Sequence, residues 1–228
     1  MFFDLYVIGN HCVQDLDHQL DYWNRMGPGK SFGHPVNFES LGRWLAPDAR
    51  ILDLGCGYGR VLGLLFDRGY HNLIGLDPAG AMVALARERF PAITFEEVSS
   101  PPHLDLPDAS VDAVLLFSVL TCVPTDEGQR AIAREAARLL RPDGLLYVSD
   151  LWLQTDERNR ERYIRGERKY GTYGVFDLPE GVTVRHHDPR WIEELTRDFH
   201  ELALDPIDVH TMNGNPAKAF QWFGSKGR

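Results

Sequence analysis

The sequence ILDLGCGYGR, residues 51–60, decides the fold of this 228-residue chain. It begins with a short apolar run that contains one acid, passes through three glycines at alternating positions, and leads into a helical pattern from Val61. This order predicts a buried parallel strand, a tight turn and the start of a helix. Glycines allow unusual dihedral angles and let the backbone approach a ligand with no Cβ in between. Because open α/β sheets bind ligands at the carboxyl ends of their strands, we expect a ligand at this turn.

Two classes of cofactor use such a loop, and the glycine spacing separates them. A dinucleotide fingerprint, G-x-G-x-x-G, requires a third glycine at the position of Arg60, whereas the third glycine here is Gly59. Asp53, just before the turn, also suits a cationic or amine-bearing ligand better than a pyrophosphate. The stretch closely resembles motif I of the class I S-adenosylmethionine (SAM)-dependent methyltransferases, E/D-x-G-x-G-x-G. Its four marked positions are filled by Asp53, Gly55, Gly57 and Gly59.

The segment after the glycine loop predicts a second part of the cofactor site. Residues 73–77 form a short apolar run that ends in an acid, and a helical pattern follows over residues 79–90. Asp77 lies 20 residues beyond Gly57. At that spacing, a carboxylate at the end of the second strand binds ribose hydroxyls in Rossmann-like folds. The alternative interpretation is that Asp77 caps the helix that follows.

Three further stretches are similar to the ubiquinone-methyltransferase-like branch of the same family. They are LDLPDASVD at 104–112, FSVLTCVP at 117–124 and LLRPDGLLYVSD at 139–150, so the resemblance covers about residues 50–150. The family's adenine-side acid falls on Ser100, and its histidines after the fourth strand are replaced by Thr121 and Cys122. The resemblance therefore implies an adenine contact without a charged acceptor and no catalytic histidine at this place.

The resemblance implies SAM as cofactor and S-adenosylhomocysteine as its product. Asp53 and the glycine-loop amides would hold the methionyl end, Asp77 the ribose, and Ser100–Pro101 the adenine. Residues at the end of the fourth strand would pack near the sulfonium. The predicted cofactor contacts are Asp53, Gly55, Cys56, Gly57, Gly59, Asp77, Pro78, Met82, Ser100, Pro101, Leu116 and Phe117.

Alternating strands and helices predict an α/β fold with a mostly parallel sheet and helices on both faces. The resemblance adds a Rossmann-like sheet of seven strands whose last strand is antiparallel and inserted beside the fifth. Pro206 in the next-to-last strand predicts an edge position for that strand. We expect a single domain over 1–228. It would consist of a helical cover over 1–48, a cofactor-binding core over 50–150, a substrate-side cap over 152–188, and a C-terminal helix with strands over 189–228.

Candidates for acceptor chemistry lie outside the motifs. A hydroxyl or protonated amine needs a base within hydrogen-bond reach. Asp150 ends the fifth strand, and His186 and His187 precede a helix that would return to the same edge of the sheet, so these three are the candidates. The alternative is that Asp150 caps a turn and the histidines lie at the surface. A metal shared by the two histidines is not expected, because adjacent side chains on an extended segment point to opposite faces.

Aromatic and charged residues complete the predicted acceptor region. Tyr22 in the N-terminal helix and Tyr170 and Tyr173 in the cap are predicted substrate contacts, whereas Trp23 is expected to pack in the core. The segment 154–168 carries five arginines interleaved with acids. We favour a solvated helix with ion pairs over an anion site for this segment.

Bulk properties exclude several classes of function. A net charge of −9 argues against a nonspecific nucleic-acid binder, and no apolar run approaches the length of a membrane span. Three widely spaced cysteines predict reduced thiols in the cytoplasm. We expect a SAM-dependent methyltransferase that transfers a methyl group to an O, N or S atom of a small-molecule acceptor, as a monomer or homodimer. The alternative is a catalytically inactive SAM-fold protein that serves as a binding or regulatory subunit.

Overall fold

A computed structural model describes residues 16–17, 19–99 and 101–227. Its strands are β1 Ile51–Leu54, β2 Leu73–Asp77, β3 Thr94–Glu97, β4 Val111–Phe117, β5 Leu140–Leu151, β6 Val175–Asp177, β7 Thr183–Arg185, β8 Phe199–His210 and β9 Pro216–Lys226. Seven of them form one sheet in the order β3-β2-β1-β4-β5-β9-β8, and β6 and β7 form a separate hairpin. Strands β1 to β5 pair in parallel, whereas β9 is antiparallel to both β5 and β8. The predicted fold class is therefore confirmed.

Helices cover both faces of the sheet. They are α1 Leu20–Met26, α2 Phe38–Trp44, α3 Arg60–Phe66, α4 Gly80–Arg89, α5 Asp126–Leu139, α6 Glu157–Tyr170 and α7 Pro189–Leu195. One apolar core joins the sheet to α2, α3 and α4, and a second joins its opposite face to α5 and α7. The chain passes from β1 outward to β2 and β3, then crosses back to β4 on the other side of β1. The carboxyl ends of β1 and β4 thus form the point where the strand order reverses, which is where such sheets bind ligands.

Side-chain caps set where the later helices begin. Thr125 Oγ1 accepts a hydrogen bond from Gly128 N at 3.0 Å, which starts α5 as predicted. Asp188 Oδ1 accepts from Arg190 N at 2.8 Å, and Pro189 occupies the first turn of α7. The N-terminal helix predicted around Tyr22 is α1, which begins at Leu20 after Gln19, a residue with a left-handed φ of 45°.

Two details of the sheet follow from single residues. Strand β8 lies at the edge of the sheet, where Pro206 deprives no neighbouring strand of a donor, as predicted. Residues 141–144 are part of β5, opposite a register shift between Val111 and Ala113. Asp143 has a φ of 62° there. A bulge of this kind allows pairing to begin before the chain enters the regular part of the strand.

The segment between β5 and α7 builds a separate layer over the carboxyl edge of the sheet. Its helix α6 and its β6–β7 hairpin share an apolar cluster with α1. An isolated parallel bridge between Trp152 and His187 joins the two ends of this segment beside the sheet. The buried members of the apolar cluster that α1, α6 and the hairpin share are Tyr22, Tyr163, Phe176, Val182 and Val184.

Among the described helices, none is long and apolar enough to cross a membrane.

Candidate active site

Two adjoining cavities lie at the carboxyl edge of the sheet. The loop cavity lies beside the glycine loop 55–59 and has an empty volume of about 830 Å³, including the part open to solvent. The cap cavity lies under the segment 152–188 and measures about 1010 Å³ on the same basis. Phe32, Ser118 and Cys122 line both cavities. The two cavities therefore meet just beyond the end of β4.

The glycine loop brings bare backbone to the wall of the loop cavity. Gly57 has a φ of 54°, in the left-handed region that L side chains rarely adopt. A Cβ added there would lie 3.2 Å from Met82 Cε, which lines the same cavity. Gly59, with a φ of 80°, packs instead against Phe95, whose ring a Cβ would approach to 2.7 Å. Gly57 thus exposes bare backbone to the loop cavity, and Gly59 allows the turn into α3.

Asp53 provides a buried charge in the loop cavity. Its side chain is only 1% exposed, and Oδ1 is buried without a hydrogen-bond partner among the described residues. Burial raises the pKa of Asp53 to about 7, although the positive charge of Arg60 opposes this shift. An unpaired buried oxygen is costly unless a ligand donor satisfies it. The orphaned oxygen fits the amine of a SAM methionyl group, as the resemblance implies.

Asp77 holds the loop and the entry to α4. Its Oδ2 accepts from Gly57 N and its Oδ1 accepts from Ala79 N, both at 2.8 Å. Burial raises the pKa of Asp77, and these two amide bonds oppose the shift. Asp77 is not the N-cap of α4, which is Ala79 and has no side-chain cap, so Asp77 holds the residue before the helix rather than the first turn. The carboxylate also lines the loop cavity, and each oxygen retains a lone pair for a ribose hydroxyl.

Replacing Asp77 with alanine is expected to weaken SAM binding by about tenfold or more for each hydrogen bond lost. Bonds to a charged acceptor contribute roughly 1.5–3 kcal/mol each. Titration calorimetry with S-adenosylhomocysteine measures the change. Asp77→Asn is the matched variant, since it retains one acceptor oxygen, and its affinity should be intermediate. Unchanged affinity in a folded Asp77→Ala protein would restrict Asp77 to holding the glycine loop and the entry to α4.

Most of the other predicted cofactor contacts line the loop cavity, whereas Leu116 does not. Cys56, Pro78, Met82 and Phe117 line the loop cavity together with Gly55 and Gly57. Leu116 lies in the core on the opposite face of the sheet, packed with α5, so its prediction is wrong. Successive side chains of a strand point to opposite faces, and Phe117 is the residue that faces the cavity. Ser100 lies outside the described residues, and Pro101 follows it at the cis Pro101–Pro102 bond.

The predicted acceptor tyrosines have structural roles instead. Tyr22 is buried in the cluster under the cap, edge-on to Trp23 at 5.0 Å between ring centroids. Trp23 lines the loop cavity, which reverses the expected roles of these two neighbours. Tyr170 Oη donates to Asp177, across the base of the hairpin. Tyr173 is 40% exposed and packs on Tyr163 at the outer surface of the cap.

Of the three candidate bases, the structure brings one to a cavity. Asp150 is fully buried, with Oδ1 accepting from Leu151 N and Oδ2 from Thr121 N, so it caps the turn after β4. His187 is also fully buried, and its ring contacts Gln129 Nε2 at 3.0 Å. The side chains of Asp150 and His187 are therefore packed and hydrogen-bonded inside the protein at the edge of the sheet. Neither His186 nor His187 lies at the surface. His186 lines the cap cavity, with its Nδ1 2.6 Å from Tyr163 Oη.

A histidine that the sequence analysis missed lies close to the junction of the cavities. His34 lines the cap cavity and is 3% exposed. Its Nδ1 lies 2.9 Å from Ser149 Oγ, and Ser149 O accepts from Ser118 N at 2.8 Å. Burial, helped by the charge of Arg60, lowers the pKa of His34 to about 4. The Gly-His-Pro run at 33–35 suggested only a loop, because its contacts are all distant in sequence.

The cap also differs from prediction in its arginines. Arg158 and Arg162 of α6 line the cap cavity, although the whole segment was expected to be a solvated helix. Within the segment 154–168, the exposed Arg165 pairs with Glu161, as that expectation implied. The helix is therefore partly solvated, while Arg158 and Arg162 line the cavity. Among the described residues, no group of three or more His, Cys, Asp or Glu side chains is placed to hold a metal.

Comparison of the sequence with known proteins finds methyltransferases as relatives. Residues 52–148 match a family model described as a methyltransferase domain. The chain is 34% identical over 182 residues to an uncharacterized methyltransferase of Mycobacterium bovis, across 73% of this chain and 72% of the relative. It is also 33% identical over 123 residues to mouse ALKBH8, a tRNA (carboxymethyluridine(34)-5-O)-methyltransferase, across 52% of this chain but only 17% of that protein.

Structure comparison agrees on the fold. A SAM-dependent methyltransferase of Methanosarcina mazei superposes with a TM-score of 0.77 and 23% identity, over 82% of this chain and 97% of that one. The strand order and the glycine-loop cavity define a class I methyltransferase fold. Together with the sequence relatives, they show that this chain belongs to the class I SAM-dependent methyltransferase family. It is an enzyme of this class with SAM as cofactor, and the alternative of an inactive subunit is not supported.

Proposed function

We propose that this methyltransferase acts on a small-molecule acceptor bound in the cap cavity. The observation that carries this proposal is that the cap cavity and the loop cavity adjoin, since Phe32, Ser118 and Cys122 line both. A nucleophile in one cavity can thus meet the methyl group of a cofactor held in the other. The attacking atom would be an O, N or S atom placed at this junction, and the segment 152–188 would serve as the acceptor cap.

The walls of the cap cavity favour a small acceptor over a polymer. Lys30 Nζ donates to Glu180 Oε1 at 2.9 Å and to Asn213 Oδ1 at 2.7 Å. Asn213 Nδ2 in turn donates to the same oxygen of Glu180 at 2.7 Å. These contacts tie the N-terminal loop, the cap and the β8–β9 hairpin together beside the cavity. The mouse relative is named for action on tRNA, so RNA is the alternative acceptor class.

The residues of this chain have four tasks in such a reaction. SAM supplies an electrophilic methyl group, so the protein mainly binds, orients, excludes water and accepts a proton. Asp53, Asp77 and the loop amides would hold the cofactor. Phe32 and Phe117 would keep water from the junction. The acceptor's proton needs an unprotonated group within reach. Among the histidines that line the cap cavity, His34 and His186 are buried, whereas His210 is exposed.

His34 is the better placed of the two. Phe32, two residues earlier in the chain, lines both cavities. The tautomer in which Nδ1–H donates to Ser149 Oγ leaves Nε2 as an acceptor. With a pKa of about 4, the ring stays unprotonated near neutral pH. His186 has its pKa lowered to about 3, mainly by burial, and its Nδ1 is already used by Tyr163.

The direct test of the proposal uses methyl-labelled SAM. The purified chain would be incubated with the small-molecule, RNA and protein fractions of an extract of its native host. We expect label in the small-molecule fraction. Label confined to RNA or to protein would contradict the proposal while leaving the enzyme class unchanged. A parallel incubation with heat-denatured enzyme defines the background.

Replacing His34 with alanine is expected to lower turnover about a hundredfold, the usual contribution of a positioned proton acceptor. SAM affinity should stay within about twofold, because His34 lines only the cap cavity. The acid limb of the wild-type kcat/KM profile should lie near the pKa of about 4 rather than near 6.5, since protonation inactivates the ring only as the pH falls through its folded-state value. Steady-state kinetics with an identified acceptor measures both.

Two variants control for structural effects. His34→Asn keeps a polar group facing Ser149 but has no titratable nitrogen, so it should be as slow as the alanine variant. His200→Ala removes an exposed histidine of β8 and should keep full activity. Wild-type turnover in both His34 variants would mean that the acceptor arrives deprotonated or that another group takes the proton.

A further inference from the structure

Two arginines of α6 face the cap cavity. Arg158 and Arg162 are four residues apart, so they lie one above the other on the same face of the helix. Both line the cavity, together with Asn159 of the same helix and Asn215 of the β8–β9 connection. One wall of the cavity therefore carries two guanidinium groups and two amide side chains.

The partners of these arginines are neutral. Arg158 Nη1 donates to Asn215 Oδ1 at 3.2 Å, and Arg162 Nη1 donates to Asn159 Oδ1 at 3.2 Å. In the described part of the chain, neither guanidinium forms an ion pair with a carboxylate. Arg165, an exposed residue one turn further along the same helix, does pair with Glu161, at 3.7 Å. Asp156, the N-cap residue of α6, acts on Arg162 through its charge but forms no ion pair with either arginine within the described residues. The two arginines of the cavity wall thus differ from Arg165 in having no carboxylate in direct contact.

Arg158 is exposed and Arg162 is partly buried, so water screens their mutual repulsion only in part, and a counter-charge between them would relieve it. Burial lowers the pKa of the partly buried Arg162, and the nearby charge of Arg158 lowers it further. The carboxylate on this cavity wall, Glu180, already pairs with Lys30 at 2.9 Å. A planar guanidinium can bind a carboxylate or a phosphate through two parallel hydrogen bonds. An anionic group on the acceptor would supply the missing charge.

The rest of the wall is apolar. Leu178, Val184 and Met212 line the cavity beside Phe176. The guanidinium carbon of Arg162 lies 5.3 Å from the centroid of the Phe176 ring, so the charged and apolar parts of the wall adjoin. A ligand that fits this wall has an anionic group at one end and an apolar or aromatic body.

We propose that the methyl acceptor is an organic acid whose carboxylate or phosphate binds between Arg158 and Arg162. Its apolar body packs on Phe176 and its neighbours, and its nucleophilic atom lies at the junction near Ser118. This inference rests on the proposed small-molecule function and adds the chemical class of the acceptor. The anionic group fixes the orientation of the acceptor and is not itself the methylated atom.

The first experiment separates the charge class from the proposed function. The small-molecule fraction of the host extract would be divided on an anion exchanger into retained and unretained pools, and each pool incubated with the chain and methyl-labelled SAM. Label in the retained pool is expected. Label only in the unretained pool overturns this inference but leaves the proposed function standing, whereas label only in RNA or protein contradicts the proposed function itself. Phosphatase treatment of the retained pool distinguishes a phosphate, which loses acceptor activity, from a carboxylate, which keeps it.

The second experiment tests the two arginines with the acceptor from the retained pool. Arg158→Gln and Arg162→Gln should each lower kcat/KM by about tenfold or more, mainly through KM, because each removes a charge-assisted contact. Their affinity for S-adenosylhomocysteine should be unchanged, which also verifies the fold. Arg165→Gln makes the same charge change at an exposed position outside the lining of the cavity and should behave as wild type, and Arg162→Lys should recover part of the loss. Wild-type KM values in both glutamine variants would overturn the inference.

Discussion

A Gly57→Val protein is expected to lose SAM binding below detection while it keeps its fold. The valine side chain would project into the loop cavity beside Met82, where even a Cβ makes a tight contact. The left-handed φ of 54° adds a strain of about 1–2 kcal/mol, which a domain of this size tolerates. Calorimetric titration with SAM and S-adenosylhomocysteine measures the binding, and denaturant unfolding measures the stability. Neither the wild type nor the variant should bind NADH, because Arg60 interrupts the dinucleotide fingerprint.

A variant at a second glycine distinguishes blocking of the loop cavity from backbone strain. Gly69 has a φ of 90°, and no atom lies within 4 Å of a Cβ built on it. Gly69→Val therefore carries similar strain at a site away from both cavities. It should bind SAM with wild-type affinity. If it loses binding as Gly57→Val does, or if Gly57→Val binds normally, the loop backbone is not what approaches the cofactor.

A Gly166→Ala protein is expected to lose methyl transfer while it retains SAM binding. A Cβ at this helix position would overlap the carbonyl oxygen of Val175 and lie 2.8 Å from its carbonyl carbon. These are backbone atoms of β6, so no side-chain rotation relieves the clash and α6 must move away from the hairpin. Arg162 and Phe176 would then leave their places on the wall of the cap cavity. The destabilisation should be about 3 kcal/mol or more.

The measurements are denaturant unfolding, calorimetry with S-adenosylhomocysteine and turnover with the identified acceptor. Gly42→Ala is the matched control, because Gly42 lies inside α2 and a Cβ added to it would have no atom within 4 Å. That change should stabilise the chain by up to about 1 kcal/mol and leave turnover unchanged. Normal stability and turnover in Gly166→Ala would show that the cap does not need the close contact between α6 and β6.

The different effects expected of Gly57→Val and Gly166→Ala have a structural basis. The loop cavity is built from the turns after β1, β2 and β4, which belong to the central sheet. The cap cavity takes much of its wall from α6, the β6–β7 hairpin and the β8–β9 connection. Damage to the cap should therefore affect KM and turnover before it affects cofactor affinity. Damage to the glycine loop should remove both.

The sequence by itself determined the sheet and the cofactor end of the site. The strand, turn and helix around Gly57 are encoded within ten residues, and local hydrophobic period and glycine spacing are enough to define them. The spacing from Gly57 to Asp77 likewise placed two neighbouring strand ends. The caps at Thr125 and Asp188 were predictable because an N-cap contacts backbone only two or three residues away.

Only the tertiary structure decided the acceptor side. His34 lies at the cap cavity because it contacts Ser149, 115 residues later in the chain, and Arg158 because α6 faces Asn215, 57 residues away. The exchange of roles between Tyr22 and Trp23 depends on how α1 rotates against the cap. The pleat made Leu116 a core residue, although its neighbour Phe117 lines the cavity. Contacts of this kind depend on how distant elements pack, and the local sequence pattern of a segment does not indicate which element it will face.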